Sequence, residues 1–190
     1  MENVDIKLIT KDDLDDILAI SGESFPAEYN VTKANLMQKL IDDADKFGEG
    51  SLIIREAISG KPIGFIGTKI SHSELYPDTG WISIVAVARD YRRNGYGRLL
   101  VSKALEALHS AGVKKVSVGQ EFHNFFSGIP NPNDENMGFF NALGFAVNEG
   151  SHFDLEAVIT DNTLIESFDN SVFVAEFEVK TYNDDYDEFM

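Results

Sequence analysis

The sequence predicts a mixed α/β domain, and three observations carry that prediction. Apolar residues recur with a period of two in some stretches and near 3.6 in others, which separates strands from amphipathic helices. An apolar strand over residues 81–87 runs into a glycine-bearing loop and a helix over 96–110, and a strand over 113–118 follows. Such a unit favours a parallel pair with a right-handed crossover. The chain has 190 residues, 43% of them apolar, which suits one domain of ordinary size and leaves two full domains cramped.

In chain order, residues 4–9 alternate apolar and polar side chains as a strand does. Thr10 then stands where it can cap a helix reaching about residue 20, with acids in its first turn. Leu14, Ile17 and Leu18 form the buried stripe of that helix. Phe25 and Pro26 interrupt, and a second helix over 32–41 turns Leu36, Met37 and Leu40 inward. Residues 52–58 and 63–70 read as strands joined by Ser59-Gly60-Lys61-Pro62, which makes a hairpin. Along the helix over 96–110, Leu100, Ala104 and Leu108 share one line, and Gly112 lies where a helix stop is expected. A short helix over 135–143 closes at Gly144. Residues 145–147, 152–158 and 172–179 are the remaining strand expectations. The organisation expected is one domain over 1–160 and an acidic extension over 161–190, where nine Asp or Glu face the single Lys180.

Composition excludes several classes. A formal net charge of −16, from 16 basic and 32 acidic side chains, argues against nucleic acid as a partner, because phosphate backbones require basic surface. The same charge can attract a cationic amine, although solubility alone accounts for it. The absence of Cys removes disulfides and thiol chemistry. No apolar run approaches the ~20 residues that span a bilayer, and the N-terminus lacks a basic region followed by an apolar core. The expectation is a cytoplasmic protein with no membrane partner and no metal site.

Against this acidic background, Arg92, Arg93 and Arg98 fall within seven residues that also contain Gly95 and Gly97. Glycine admits positive φ and lets a bulky anion approach the main chain. The first turn of a helix leaves N–H donors without intrahelical partners, and its dipole favours negative charge there. Guanidinium groups match phosphate geometry. The segment therefore reads as a phosphate-holding loop. It is not a Walker loop, which needs Gly-Lys-Ser/Thr. Nor is it a dinucleotide fingerprint, because Leu100 stands where the third glycine belongs.

The pattern Arg92-x-x-Gly95-x-Gly97, placed after a strand and before a helix, resembles the acetyl-CoA pyrophosphate loop of the GNAT superfamily of N-acetyltransferases. The resemblance spans residues 4–158 or so and implies a central mixed sheet, mostly antiparallel, with a parallel pair splayed at the CoA site and helices on its flanks. It implies acetyl-CoA or another acyl-CoA as co-substrate, with the pyrophosphate held by Arg92, Arg93, Asn94, Gly95, Tyr96, Gly97 and Arg98. The backbone of Val85, Ala86 and Val87 would pair with the pantetheine arm as an added strand pairs with a sheet edge. Asn136-Met137-Gly138-Phe139-Phe140-Asn141-Ala142-Leu143-Gly144-Phe145 resembles the second signature of the family, which brings Asn136 and Phe140 to the cofactor.

Acyl transfer to an amine requires a neutral amine, a polarised thioester carbonyl and a proton for the departing thiolate. Two departures from the family bear on this. The strand over 81–87 holds no acid where the family often places a Glu, and Phe140 stands at the position of its usual proton-donating Tyr. Glu121 and His123, just beyond the next strand, are the substitute catalytic candidates. Phe25, Glu28 and Tyr29 form the expected substrate loop, opposite the aromatic stretch 121–130. The acceptor class implied is a small-molecule or peptide amine, and an acyl-CoA-binding sensor or interaction module that turns over weakly or not at all is the alternative. Phe125-Phe126-Ser127-Gly128-Ile129-Pro130 also resembles the first domain of bacterial tandem-GNAT proteins. A single domain of that kind is compatible with a homodimer.

Overall fold

The computed structural model describes residues 4–121, 123–129 and 134–146. The expected strands over 152–158 and 172–179 lie outside the described residues, as does the extension over 161–190. Strand β1 (Val4–Leu8) leads through a 3₁₀ turn into helix α1 (Leu14–Ser24). Helix α2 (Lys33–Leu36) continues as π-helical turns over Met37–Asp42. Strands β2 (Leu52–Glu56), β3 (Pro62–Ile70) and β4 (Thr79–Val87) follow, then helix α3 (Tyr96–Ser110), strand β5 (Lys115–Val118) and helix α4 (Asp134–Asn141). Among the described residues no helix is long and apolar enough to cross a membrane.

The five strands form one sheet in the order β1-β2-β3-β4-β5. Neighbours from β1 to β4 are antiparallel, and β4 and β5 are parallel. The mixed sheet with one parallel pair is therefore as expected. Its two faces are covered by different helices. Leu14 and Ile17 of α1, with Leu36 and Leu40, pack on Ile53, Phe65, Ile84 and Ala86. On the other face Tyr96, Leu100, Val101 and Ala104 of α3 pack on Leu52, Ile54, Ile66 and Ile82. The period-two alternation of the strands sends successive side chains to opposite layers.

One irregularity positions everything that follows. Thr68 pairs with Ile82 and Gly67 with Ile84, so Ser83 is an extra residue in β4. Such a bulge re-aims the side chains beyond it: Ile82 packs with α3, whereas Ile84 and Ala86 pack with α1. Gly67 allows the close approach opposite, since a Cβ there would lie 2.4 Å from Leu40 Cδ2.

Boundaries differ from the sequence expectation where backbone bonds intervene. β2 ends at Glu56 rather than 58, because the Gly60 N–H returns to the Glu56 carbonyl at 2.9 Å and closes the turn. α1 runs on to Ser24 and stops before Pro26. β5 begins at Lys115, since Val113 still donates to Leu108 and completes the end of α3. Residues 145 and 146 are not in a strand.

Candidate functional site

β4 outlasts its parallel partner. Pairing with β5 ends at Ile82 and Val118, followed by one bond from the Gly119 N–H to the Ile82 carbonyl at 3.0 Å. Gly119 and Gln120, both with φ of 68°, then turn the chain away. A Cβ at Gly119 would come within 2.8 Å of the Phe126 carbonyl, so this turn requires glycine. Residues 83–87 are left with an open edge. The Ala88 N–H donates to Ile63 in β3, so by alternation the N–H and C=O of Val85 and Val87 face the opening. Ala86, the third residue expected there, turns its backbone toward β3.

The opening is the floor of a cleft of about 770 Å³. At one end lies the loop before α3. Gly95 caps that helix with φ of 88°, and Arg93 has φ of 64°. The first intrahelical bond runs from Leu99 to Gly95, so the N–H groups of Tyr96, Gly97 and Arg98 precede the ladder. Nothing lies within 4 Å of a Cβ built at Gly95, whereas one at Gly97 would meet the Phe139 ring at 3.3 Å. Arg93, Gly95, Gly97 and Arg98 line the cleft. Arg92 lines it too, but its guanidinium ties elements together, donating to Val87 O at 2.9 Å and to Ser24 Oγ at 3.0 Å. Asn94 spends its amide on the carbonyls of Tyr91 and Arg92. The Tyr96 ring is buried in the α3 layer. Asn94 and Tyr96 therefore contribute through backbone, if the loop holds an anion.

At the other end the expected substrate loop and the aromatic stretch meet. The Phe25 and Phe126 rings are 4.9 Å apart, and Tyr29 meets Phe126 edge-on at 5.2 Å. Phe25, Pro26, Phe126 and Ile129 line the cleft, while Glu28 is exposed outside it. Asn136 and Phe140 of α4 line the cleft as well. Phe140 is buried and meets Phe139 and Phe145 edge-on, at 5.1 and 5.6 Å.

Behind this wall lies a charged cluster. Lys69, 1% exposed, pairs with Asp43 at 2.8 Å and also donates to the His123 carbonyl. Lys39 donates to the Asn124 carbonyl and lies over the Phe125 ring. Burial alone would raise Asp43, but the Lys69 hydrogen bond, the Asp45 N–H and the Lys69 and His123 charges hold its carboxyl below the usual range. Lys39 is lowered by burial and by Lys69. Glu121 is 3% exposed, and neither carboxylate oxygen has a hydrogen-bond partner. Burial pushes its carboxyl up, opposed by its own backbone N–H and the Ser83 hydroxyl, both near it but outside hydrogen-bonding geometry, and by the charges of Lys69 and Lys39. His123 is exposed, with φ of 54°, and does not line the cleft. The structure thus separates the two catalytic candidates: Glu121 is buried beside the site, and His123 is part of the loop's outer surface. Sequence reasoning passed over Ser83. Its signal was a lone hydroxyl within an apolar strand.

A splayed parallel pair, an unpaired amide edge and a glycine cradle before a helix offer backbone donors to a ligand that carries phosphate and amide groups. The open space at Gly95 and the free edge of Val85 leave room and backbone groups for both. Residues 14–145 match the acetyltransferase (GNAT) family profile, and the chain belongs to this family of N-acetyltransferases. Among solved structures it is similar to the GCN5-related glucosamine N-acetyltransferase region of a fungal multi-domain GH3 beta-N-acetylglucosaminidase. The TM-score is 0.70 at 22% identity, over 79% of this chain but only 18% of that one. It is also similar to the PaiA N-acetyltransferase of Thermoplasma acidophilum in complex with coenzyme A, with a TM-score of 0.61 and 16% identity over 78% of this chain and 93% of that one. An aminoglycoside antibiotic 6'-N-acetyltransferase from Acinetobacter baumannii gives 0.60 and 17% over 82% and 99%. These likenesses are of fold. No curated protein sequence matches the chain significantly.

Proposed function

We propose that this protein transfers an acetyl group from acetyl-CoA to a primary amine carried on an apolar or aromatic body, either a small molecule or a peptide. The observation that carries this reading is the asymmetry of one cleft. One end offers backbone donors and arginines, and the other offers Phe25, Phe126 and Ile129. Among the described residues the only acid lining it is Glu23, whose carboxylate accepts from the Arg89 N–H. Such a wall favours an apolar acceptor over a polycation.

Acetyl-CoA supplies the acyl group as a thioester, which a neutral amine attacks with loss of the CoA thiol. Arg93, Arg98 and the first N–H groups of α3 would hold its pyrophosphate, and the Val85 backbone its arm. An alkylamine has a pKa of about 10 in water, so the site must remove a proton before attack. Glu121 is the base. Its raised pKa brings it nearer to that of the ammonium than an ordinary carboxylate, and its ionised form retains support from Lys69 and Lys39.

The test is thiol release from acetyl-CoA across arylalkylamines, polyamines, aminoglycosides, amino acids and peptide N-termini. Arylalkylamines or peptides with an apolar first residue should turn over fastest. Phe140, which has no proton to give, favours a second reading in which the domain binds acyl-CoA without turnover. Tight CoA binding with no thiol release from any amine would support it.

A further inference from the structure

Among the described residues three buried side-chain oxygens lack a hydrogen-bond partner: Ser83 Oγ and both carboxylate oxygens of Glu121. An orphaned buried oxygen forfeits its hydration without replacement, so three of them in neighbouring side chains mark a place reserved for something. The Gly119-to-Ile82 bond brings the two stretches of chain together, and the bulge makes Ser83 the extra residue of β4. Both residues are 3% exposed. They differ in one respect that decides their roles: Ser83 lines the cleft and Glu121 does not.

We propose that Ser83 is a catalytic residue, the hydroxyl through which the acceptor amine delivers its proton to Glu121. This rests on the acyl-transfer reading above. The amine of the incoming ammonium gives one proton to Ser83 Oγ while the Ser83 proton moves to the Glu121 carboxylate, so the hydroxyl is regenerated. The freed nitrogen lone pair forms the C–N bond and the C–S bond breaks. The second nitrogen proton goes to the departing thiolate, and Glu121 returns its proton to solvent. The products are the amide, CoA thiol and one proton. The bulge gives this hydroxyl its position, since it lets β4 keep apolar side chains on both layers while a serine stands at the cleft wall.

The groups facing Glu121 are Ser83 from β4, Lys69 from β3 and Lys39 from the π-helical turns, with Asp43 paired to Lys69 and His123 near Asp43. Of these only Ser83 opens to the cleft.

The experiment compares Ser83→Ala, Ser83→Thr, Glu121→Gln and the double variant Ser83→Ala/Glu121→Gln. Thiol release is followed with 2-phenylethylamine and with whichever amine of the panel turns over fastest. Ser83→Ala should lower kcat about 100-fold with unchanged CoA affinity, Ser83→Thr should restore most of it, and the double variant should be no worse than Glu121→Gln alone. The second arm needs no acceptor: carbon-13 NMR of labelled Glu side chains, with Glu121 assigned by its loss in Glu121→Gln. Ser83→Ala should move the Glu121 titration upward, because the hydroxyl supports the ionised form. A Ser83→Ala variant within twofold of wild type in kcat, losses that multiply in the double variant, or an unmoved titration would each overturn the relay. No thiol release by the wild type would instead overturn acyl transfer itself and the relay's role in it, with the titration still reading whether the two groups are coupled.

Discussion

The two ends of the cleft are built differently. The end proposed for the pyrophosphate is made mostly of backbone: the N–H groups before Leu99, a left-handed Gly95 and the unpaired edge of Val85. The end proposed for the acceptor is made of side chains brought from separate elements, with Phe25 meeting Phe126 and Lys69 reaching across 54 residues to His123. Backbone binding needs only a contiguous stretch to fold correctly. Proton handling needs desolvation and charge, which exist only once the tertiary structure has formed.

The largest expected effect breaks the acceptor end alone. Glu121→Gln should lower kcat about 1000-fold and leave CoA affinity as it was, read by thiol release and calorimetry. It should also reverse a stability cost. The folded-state pKa of Glu121 lies above its unfolded value. The group therefore adds stability below the unfolded pKa and loses it as pH rises through the folded value. The variant should gain on wild type in thermal denaturation as pH climbs from about 4.3 through the raised pKa, and the advantage should vanish in acid.

Next in size is Lys69→Met, which leaves the Asp43 carboxylate buried without its cation. Breaking one partner of a buried pair should cost about 3 kcal/mol in denaturant unfolding, and Lys69→Met/Asp43→Leu should recover most of it. Gly95→Asp tests the opposite end. It places a carboxylate where a pyrophosphate is expected and forces a side chain into φ of 88°, so CoA affinity should fall roughly 100-fold, or about 2.7 kcal/mol. The positive φ also brings a folding cost of about 1 kcal/mol. The smallest effect is at the rim. Tyr29→Ala removes one edge-on ring contact, worth about 1 kcal/mol, and should raise the acceptor KM several-fold with kcat unchanged.

The same contrast explains what the sequence disclosed. The loop before α3 was legible because Gly95, Gly97 and three arginines lie together between an apolar strand and an amphipathic helix. The meeting of Phe25 and Tyr29 with Phe126 was legible in part: the rings of 121–130 must bury against something, and both stretches were expected to build the acceptor pocket. The bulge was not: Ile82-Ser83-Ile84 alternates like an ordinary strand, and the extra residue is visible only against Gly67 and Leu40 across the sheet. Nor was the burial of Glu121, since the lysines around it come from β3 and from the π-helical turns. His123, its equal in the sequence, differs from it only through tertiary packing. Arg92 was readable as a cation near the phosphate loop but not as the side chain that clasps Val87 and Ser24.

The measurement that tests the division most directly is a crossed one: acetyl-CoA affinity by calorimetry and thiol release at saturating acetyl-CoA, both on Gly95→Asp and Glu121→Gln. The division predicts that Gly95→Asp loses affinity but keeps much of its turnover once saturated, and that Glu121→Gln keeps affinity and loses turnover. Parallel losses of both quantities in both variants would contradict it.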